Sequence, residues 1–168
     1  PYSFFNAVAY SPPQVMFAAS FKPHTKEYKD SVANILKTKE FVVNFVTKSL
    51  SQKMNKSAID APDDIDEFNF SKIKIRKSKV VQVPSVTGSP VNLECKFLKK
   101  IDLKSSIKNK YHNKIIIGEV VGIYIKNQYI KNGRIDSVAM KLIGRLGYTE
   151  YTSVTSKFKM KRPKWNYN

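Results

Sequence analysis

The chain has 168 residues, which is enough for one domain with its own hydrophobic core and too few for a second. Hydrophobic residues make up 42% of the chain and aromatic residues 12%, a composition that excludes a disordered protein. Thirty Lys and Arg against 13 Asp and Glu give a formal net charge of +17, large enough to attract nucleic acid or an anionic membrane surface.

Six apolar segments rich in β-branched and aromatic residues predict β-strands. In chain order they are QVMFAAS, FVVNFV, KVVQVP, VNLECKFL, IIIGEVVGIYI and GYTEYTSV. Clusters of Pro, Gly, Asn, Asp and Ser separate them, as turns do between short antiparallel strands. No apolar run reaches the roughly 20 residues that a membrane-spanning helix needs. The pattern predicts a mainly β protein with no membrane association.

Two segments interrupt the strand pattern and predict short helices. In KDSVANILKT at 29–38, Val32 and Ile35 recur at helical spacing, and we expect Asp30 or Ser31 to be the N-cap. The second segment is SLSQKMNKSA at 49–58. The first of these helices matters most, because its start carries both a cation and a hydroxyl.

The second predicted helix covers 49–58, with Ser49 as its expected N-cap and an apolar stripe that packs on the sheet. The acidic stretch DAPDDIDEF at 60–68 follows it. We expect a surface loop there rather than a metal site, because no His lies near these carboxylates.

Two glycines lie inside the longest predicted strand, at Gly118 and Gly122. Glycine within a strand is typical of a bulge, of a bend in a barrel, or of close approach by a ligand. Further on, Asn132 and Gly133 predict a tight hairpin turn. Together these features predict a bent sheet that closes into a β-barrel.

Several kinds of catalytic site are absent from the sequence. There is no GxSxG elbow, no GxxxxGK[ST] loop and no GxGxxG loop, which argues against hydrolase, P-loop and Rossmann sites. His24 and His112 lie in basic, loop-like surroundings, and Cys95 is the only cysteine, so no intrachain disulfide or CxxC site can form. A lone cysteine is typical of a reducing compartment, and we expect a cytoplasmic protein.

The positive charge has two interpretations. Only four of the thirty basic residues are Arg, and the Lys residues are scattered in short groups such as KIKIRKSK and KFKMKRPK. Sites that read phosphates or bases rely on the bidentate guanidinium of Arg, whereas Lys suits solvated surfaces. We therefore favour a compositional preference for Lys and expect no nucleic-acid partner. A non-enzymatic module that binds polyanions is the alternative.

The best candidate anion site in the sequence is the segment KDSVANI. Backbone N–H groups at the start of the predicted helix, the Ser31 hydroxyl and the Lys29 ammonium could meet at one phosphate. The alternative is an ordinary capped helix that binds nothing. The helix alone does not decide between them.

The order of several motifs resembles the flavin reductase-like domain, a branch of the FMN-binding split barrels. The motifs are PYSFFNAVAYSPP, KDSVANI, EFVVNFV, SPVNLECK, IGEVVGIYI, NGRID and RLGYTEY, followed by a late RP. The resemblance covers nearly all of 1–168 as one antiparallel, Greek-key-type domain. It also implies an opening strand pair ahead of PYSFFN, so that this chain would lack the first strands of its domain.

The resemblance implies a set of cofactor-binding residues around FMN. At the isoalloxazine ring it places Ser3, Phe4, Phe5 and Asn6, and at the phosphate end it places Ser20, Lys29, Asp30, Ser31 and Asn34. It completes the site, or the wall that a second subunit supplies, with Arg145, Gly147, Tyr148 and Tyr151. Ser31 stands where the family often has Thr and keeps the hydroxyl, whereas Tyr148 stands where the family often has Gly.

Several of these residues have structural alternatives. Neighbours in a strand face opposite sides, so one of Phe4 and Phe5 should belong to the core. Asn34 could simply pack within its helix. Arg145 could form an ion pair with Glu119 or Glu150. Gly118 and Gly122 could serve barrel curvature alone, and Tyr148 and Tyr151 could pack on the sheet.

The resemblance implies an NAD(P)H-dependent flavin reductase that transfers hydride to FMN, in a homodimer with FMN at the subunit interface. No side chain is assigned to the chemistry, because the flavin carries it. Either NADH or NADPH could be the reductant, and a flavin-dependent monooxygenase or another electron acceptor could be the partner. The alternatives are an FMN-binding electron carrier, a ferric or oxygen-linked reductase, and a relative of the pyridoxamine phosphate oxidases.

Overall fold

The computed structural model describes residues 1–22, 27–62, 65–107 and 113–165. In chain order the strands are β1 (Phe5–Tyr10), β2 (Pro13–Ala19), β3 (Glu40–Asn44), β4 (Ile75–Arg76), β5 (Ser85–Val86), β6 (Val91–Asp102), β7 (Lys114–Ile125), β8 (Ile130–Lys131), β9 (Arg134–Ile135), β10 (Ile143–Arg145) and β11 (Tyr151–Ser153). The helices are α1 (Asp30–Thr38), α2 (Ser51–Lys56) and α3 (Glu67–Phe70), with 3₁₀ turns at Lys48–Leu50 and Asn127–Tyr129. The predicted mainly β architecture with short helices is confirmed.

A five-stranded antiparallel sheet forms the centre of the fold, in the order β1, β2, β7, β6, β3. Its two long strands, β6 and β7, each have 12 residues and pair along their whole length. Three small hairpins, β4 with β5, β8 with β9 and β10 with β11, lie outside this sheet. None of the helices in the described residues is long and apolar enough to cross a membrane.

The core lies between the central sheet and α1. Every second residue of β2, namely Val15, Phe17 and Ala19, is buried, as strand alternation requires. Helix α1 buries Val32 and Ile35 against them, at the spacing that predicted the helix. Amphipathic patterning alone therefore located both elements.

The start of α1 differs from the prediction. Its N-cap is Lys29, in extended conformation, and neither Asp30 nor Ser31 caps it, because the helix already begins at Asp30. Asp30 instead forms an ion pair with Lys22, with 2.7 Å between Nζ and Oδ1. The Lys29 side chain makes no capping hydrogen bond, and the Lys29 carbonyl accepts the N–H groups of Val32 at 2.8 Å and Ala33 at 3.1 Å.

The predicted cap of the second helix was also wrong. Thr47 caps the 3₁₀ turn that leads into α2, and its hydroxyl accepts a hydrogen bond from the Leu50 N–H at 3.3 Å. Ser49 supports that cap, with 2.8 Å between the hydroxyl oxygens of Ser49 and Thr47. A 3₁₀ turn ahead of the α-helix moved the capping position two residues upstream.

Two predicted segments have different structures. KVVQVP forms no strand, and the N–H groups of its first three residues bind the side chain of Glu94. The acidic stretch carries the short helix α3, which Asp66 caps through the N–H groups of Phe68 and Asn69. Asp63 and Asp64 of that stretch lie outside the described residues, as do His24 and His112.

The hairpin turn predicted at Asn132 and Gly133 is confirmed, whereas the strand predicted over GYTEYTSV is only partly formed. Asn132 and Gly133 join β8 to β9 with φ of 50° and 71°, which is the conformation of a type I′ turn. In GYTEYTSV only Tyr151–Ser153 is strand. Gly147–Glu150 is a turn closed by the N–H of Glu150 on the Gly147 carbonyl at 3.0 Å.

Candidate functional site

A cavity of about 480 Å³ opens where the segment before β1, the end of β2, the start of α1 and the end of β10 come together. This volume lies within the range of about 300–1,000 Å³ of ligand pockets. Five residues of the sequence-predicted site line it: Ser3, Phe4, Ser20, Lys29 and Arg145. Positions 3 and 145 lie at opposite ends of the chain, so only the tertiary fold brings them together.

The remaining predicted residues surround this cavity without lining it. They are Phe5 and Asn6 on β1, Asp30, Ser31 and Asn34 on α1, Gly147 and Tyr148 in the turn after β10, and Tyr151 on β11. Phe5, Asp30 and Gly147 are each next in the chain to a lining residue, and Tyr151 is linked to the cavity through its hydrogen bond with Arg145. The structure therefore groups the predicted residues in one region and separates an inner set from an outer set.

The two neighbouring phenylalanines at the start of β1 divide as strand geometry predicted. Phe4 is 73% exposed and lines the cavity. Phe5 packs against the core, where its ring meets the edge of Phe45 with 6.0 Å between centroids. The backbone here is tied to the sheet, because the Phe4 carbonyl accepts the N–H of Ala18 at 2.9 Å. An exposed aromatic ring thus stands directly before β1, on backbone that is hydrogen-bonded to β2.

The start of α1 supplies the polar end of the cavity. Lys29 lines the cavity and is also the residue from which α1 begins. Ser20 lies opposite on the chain leaving β2 and is exposed. A hydroxyl, an ammonium and an uncapped helix start in one region favour an anion.

Ser31 and Asn34 have different environments on the same helix. Burial raises the pKa of the Tyr2 hydroxyl, and a hydrogen bond with Ser31 works against that rise. Asn34 is exposed, and its backbone carbonyl accepts the Thr38 hydroxyl at 2.9 Å. Ser31 therefore contacts the cavity wall through Tyr2, whereas Asn34 lies on the outer face of α1.

Arg145 reaches the cavity from β10 and is oriented by two tyrosines. Its guanidinium donates to the Tyr151 hydroxyl at 3.0 Å and to the Tyr148 carbonyl. Its central carbon lies 5.1 Å from the centroid of the Tyr151 ring. Within the described residues, Arg145 forms no ion pair with Glu119 or Glu150. Its charge is therefore available to a ligand.

Tyr148 and Tyr151 have different environments. Tyr148 is 92% exposed in a left-handed turn with φ of 51°, so it does not pack on the sheet. Tyr151 orients Arg145 through its hydroxyl. Leu146, between Arg145 and the turn, lines the cavity and was missed by the sequence interpretation. Its position between two predicted site residues was the signal that could have found it.

The buried cysteine takes no part in this site. Cys95 is fully buried in β6, and burial raises the pKa of its thiol to about 12. A thiol with that pKa is protonated at neutral pH and is a poor nucleophile. The described residues also hold no group of three or more His, Cys, Asp or Glu that could bind a metal ion.

The cavity combines features that suit a flat, phosphorylated ligand. Phe4 and Leu146 supply apolar surface, Ser3 and Ser20 supply hydroxyls, and Lys29 supplies positive charge at the start of α1. Arg145 adds a second cation at the other wall. No carboxylate lines the cavity among the described residues, so positive charge dominates there. These residues fit a planar ring system that carries a phosphate.

Comparison with known proteins also points to a flavin-binding family. The sequence model of the flavin reductase like domain matches residues 1–139. An uncharacterized protein of Deinococcus radiodurans is 32% identical over 166 residues, covering 96% of this chain and 70% of that protein.

Solved structures share the fold. Nitrilotriacetate monooxygenase component B from Bacillus cereus superposes with a TM-score of 0.87 at 29% identity, over 95% of this chain and 78% of that one. A protein with a split barrel domain from Shewanella frigidimarina superposes with a TM-score of 0.76 at 19% identity, over 98% of this chain and 77% of that one. The predicted split-barrel fold is thereby confirmed.

Proposed function

The chain belongs to the flavin reductase-like domain family, and from this premise we propose that the cavity binds FMN and that NADH or NADPH reduces it there. The family makes the protein a flavin-related oxidoreductase. One observation carries the finer proposal: five residues expected at a flavin line a single cavity of about 480 Å³. The proposed domain is the whole of 1–168.

The exposed face of Phe4 and the Leu146 side chain would hold the isoalloxazine ring, with Ser3 at its polar edge. Ser20, Lys29 and the start of α1 would hold the phosphate. A bound flavin would supply the redox chemistry, because it accepts a hydride at its N5 atom. The side chains need only bind and orient it, which agrees with a cavity whose described lining has no His, Cys, Asp or Glu.

The two cations would have separate tasks. Lys29 would neutralise the flavin phosphate, because it lies at the same end as the α1 start. Arg145 would face the incoming NAD(P)H or the negative charge that reduction brings to the cavity, and Tyr151 keeps its guanidinium in place. Both tasks depend on charge, so binding should weaken as salt concentration rises.

We also propose a homodimer and an electron-accepting partner protein. The similarity to component B of a monooxygenase supports a flavin-dependent monooxygenase as that partner. An electron carrier, or a ferric or oxygen-linked reductase, would use the same cavity and differ in the acceptor. The net charge of +17 keeps a polyanion-binding module as the non-enzymatic alternative.

The visible absorption spectrum of the purified protein tests this proposal first. We expect a flavin spectrum, either as isolated or after adding FMN and removing the excess, that bleaches when NADPH or NADH is added without oxygen. A protein that binds FMN but is not reduced by either nucleotide would remove the reductase activity. A protein that takes up no flavin would contradict the proposal and favour the polyanion-binding alternative.

Replacing Lys29 by methionine is expected to weaken FMN binding about ten- to a hundredfold, because a charge-assisted hydrogen bond to phosphate is lost. Riboflavin has no phosphate, and its affinity should change much less. The measurement is quenching of flavin fluorescence during titration with protein. Lys37→Met is the matched control, because Lys37 lies in the last turn of the same helix. Equal losses for FMN and riboflavin would argue against a phosphate at Lys29.

A further inference from the structure

An aromatic pair joins the two stretches of chain that carry Ser20 and Lys29. Phe21 follows Ser20, Tyr28 precedes Lys29, and the two residues form an isolated antiparallel bridge. Their rings stack with 5.7 Å between centroids and 17° between planes. The N–H of Lys22 adds a hydrogen bond to the Glu27 carbonyl at 2.9 Å. The residues next to Ser20 and Lys29 are thus tied to each other.

Two lysines from the central sheet hold this aromatic pair. Lys100 of β6 donates from Nζ to the Tyr28 hydroxyl at 3.0 Å. Lys114 of β7 lies 5.0 Å from the centroid of the Tyr28 ring and 5.1 Å from that of Phe21. Lys114 is only 8% exposed and is paired with Asp102. A buried lysine, paired with a half-exposed carboxylate, therefore supports the aromatic pair from the sheet side.

The same contacts change the titration of these groups. The hydrogen bond from Lys100 lowers the pKa of Tyr28, and the nearby charge of Lys114 contributes to the lowering. The hydrogen bond with Tyr28 correspondingly raises the pKa of Lys100. Lys100 thus favours the ionised form of the Tyr28 hydroxyl, and Tyr28 favours the charged form of the Lys100 ammonium.

We propose that Phe21, Tyr28, Lys100 and Lys114 form a clamp that holds Ser20 and Lys29 at the spacing that the flavin phosphate requires. This proposal rests on the proposed function and adds positioning residues that do not touch the flavin. Tyr28 is bonded directly to Lys29 in the chain, and Lys114 pairs with Ala19 across β2 and β7. The clamp therefore joins both sides of the phosphate end to the rigid centre of the sheet.

The physical reason is preorganisation. A pair of residues that is bridged and held by side chains of two strands loses its conformational freedom on folding rather than on binding. An anion then meets Ser20 and Lys29 already in place. Loss of the clamp should reduce affinity for a phosphorylated flavin and leave affinity for the ring itself unchanged.

The test compares FMN with riboflavin in the full chain. Tyr28→Phe removes the hydroxyl that Lys100 binds and keeps the ring that stacks on Phe21. We expect FMN to bind about tenfold more weakly and riboflavin to change by less than about twofold. Lys100→Gln removes the same charged hydrogen bond together with the Lys100–Asp102 ion pair at 3.9 Å and the Lys100 contact with the Tyr28 ring at 5.3 Å, so it should weaken FMN binding at least as much. The double variant should be no worse than Lys100→Gln alone, because Tyr28→Phe removes only the hydrogen bond that Lys100→Gln has already removed. Lys99→Gln, the exposed neighbour on β6, is the control and should bind FMN normally.

Each outcome decides between the proposals. A wild-type protein that binds neither flavin contradicts the proposed function and, with it, the proposed clamp. A wild type that prefers FMN, with Tyr28→Phe and Lys100→Gln variants that keep the full preference, contradicts the clamp alone. Equal weakening of FMN and riboflavin in both variants also overturns the clamp, since it indicates general loosening of the fold.

Discussion

Replacing Glu94 by alanine is expected to lower the free energy of unfolding by about 4 kcal/mol, because three backbone donors lose their acceptor at once. Glu94 is 3% exposed, and its carboxylate accepts the N–H groups of Lys79 at 3.0 Å, Val80 at 2.6 Å and Val81 at 3.1 Å. An unsatisfied buried N–H costs about 1–3 kcal/mol, less where water can reach it. Urea unfolding followed by far-ultraviolet circular dichroism measures the change.

Glu94→Gln provides the comparison, because an amide keeps one oxygen acceptor and replaces the other with a donor. We expect this variant to lose about half as much stability as Glu94→Ala. If both variants unfold at the wild-type urea concentration, the segment after Ser78 does not depend on this carboxylate.

The pH dependence of the Glu94 contribution has a definite sign. Burial alone would raise the pKa of this carboxyl, but the three backbone hydrogen bonds and the charge of Arg76 hold the pKa below its ordinary value. A lowered folded-state pKa gives stability that is present above the unfolded-state pKa and disappears as pH falls through the folded-state pKa. The stability difference between wild type and Glu94→Gln should therefore shrink in acid.

The structure of this segment also shows where sequence interpretation failed. KVVQVP is rich in β-branched residues, which predicts a strand, but its hydrogen-bond partner is a side chain 13 to 15 residues further along. Propensity reports local preference and carries no information about such a distant acceptor. The available signal was Glu94 itself, a charged residue two positions after Asn92 on the buried face of β6.

Elements whose burial follows a simple period were predicted well. Strand β2 and helix α1 bury residues at spacings of two and of three to four, and both were found within about one residue of their ends. The N-caps were harder to predict. Thr47 caps a 3₁₀ turn that precedes α2, and the N-cap of α1 is Lys29, a residue type that is not a preferred cap. End positions thus depended on geometry that periodicity does not describe.

The candidate site likewise has a part that local sequence predicted and a part that depends on the tertiary fold. Local physics indicated an anion site at the start of α1, around Lys29 and Ser31. Lys29 and Arg145 line one cavity only because of the tertiary fold, and only the family resemblance pointed to their common site. The support of that site by Tyr28 and Lys100 had no sequence signal, because the two residues are 72 positions apart.

Gly118 occupies the most crowded glycine position of the central sheet. It lies in β7 between Val15 of β2 and Phe97 of β6. A β-carbon there would overlap the edge of the Phe41 ring and would lie 3.0 Å from the Lys96 carbonyl oxygen. The sequence interpretation left bulge, barrel bend and ligand approach open for this glycine. The structure shows a core side chain approaching it, opposite a register shift in β6.

The Phe41 ring has little room to move away. It is 6% exposed and meets the Phe17 ring edge-on with 5.8 Å between centroids. Phe17 belongs to β2, two residues before Ala19 at the cavity wall. A displaced Phe41 would therefore press on the strand that leads into the proposed flavin site.

Gly118→Ala is consequently expected to cost about 3 kcal/mol of stability, at the upper end of typical overpacking, as measured by urea unfolding. Gly144→Ala is the control, because its β-carbon would meet only the Thr152 methyl at 3.5 Å and should change stability by less than about 0.5 kcal/mol. Adding Phe41→Leu to Gly118→Ala should recover part of the loss, although Phe41→Leu alone destabilises, because the smaller side chain removes the overlap. Strictly additive losses in the double variant would mean that the Phe41 ring is not what requires glycine at this position.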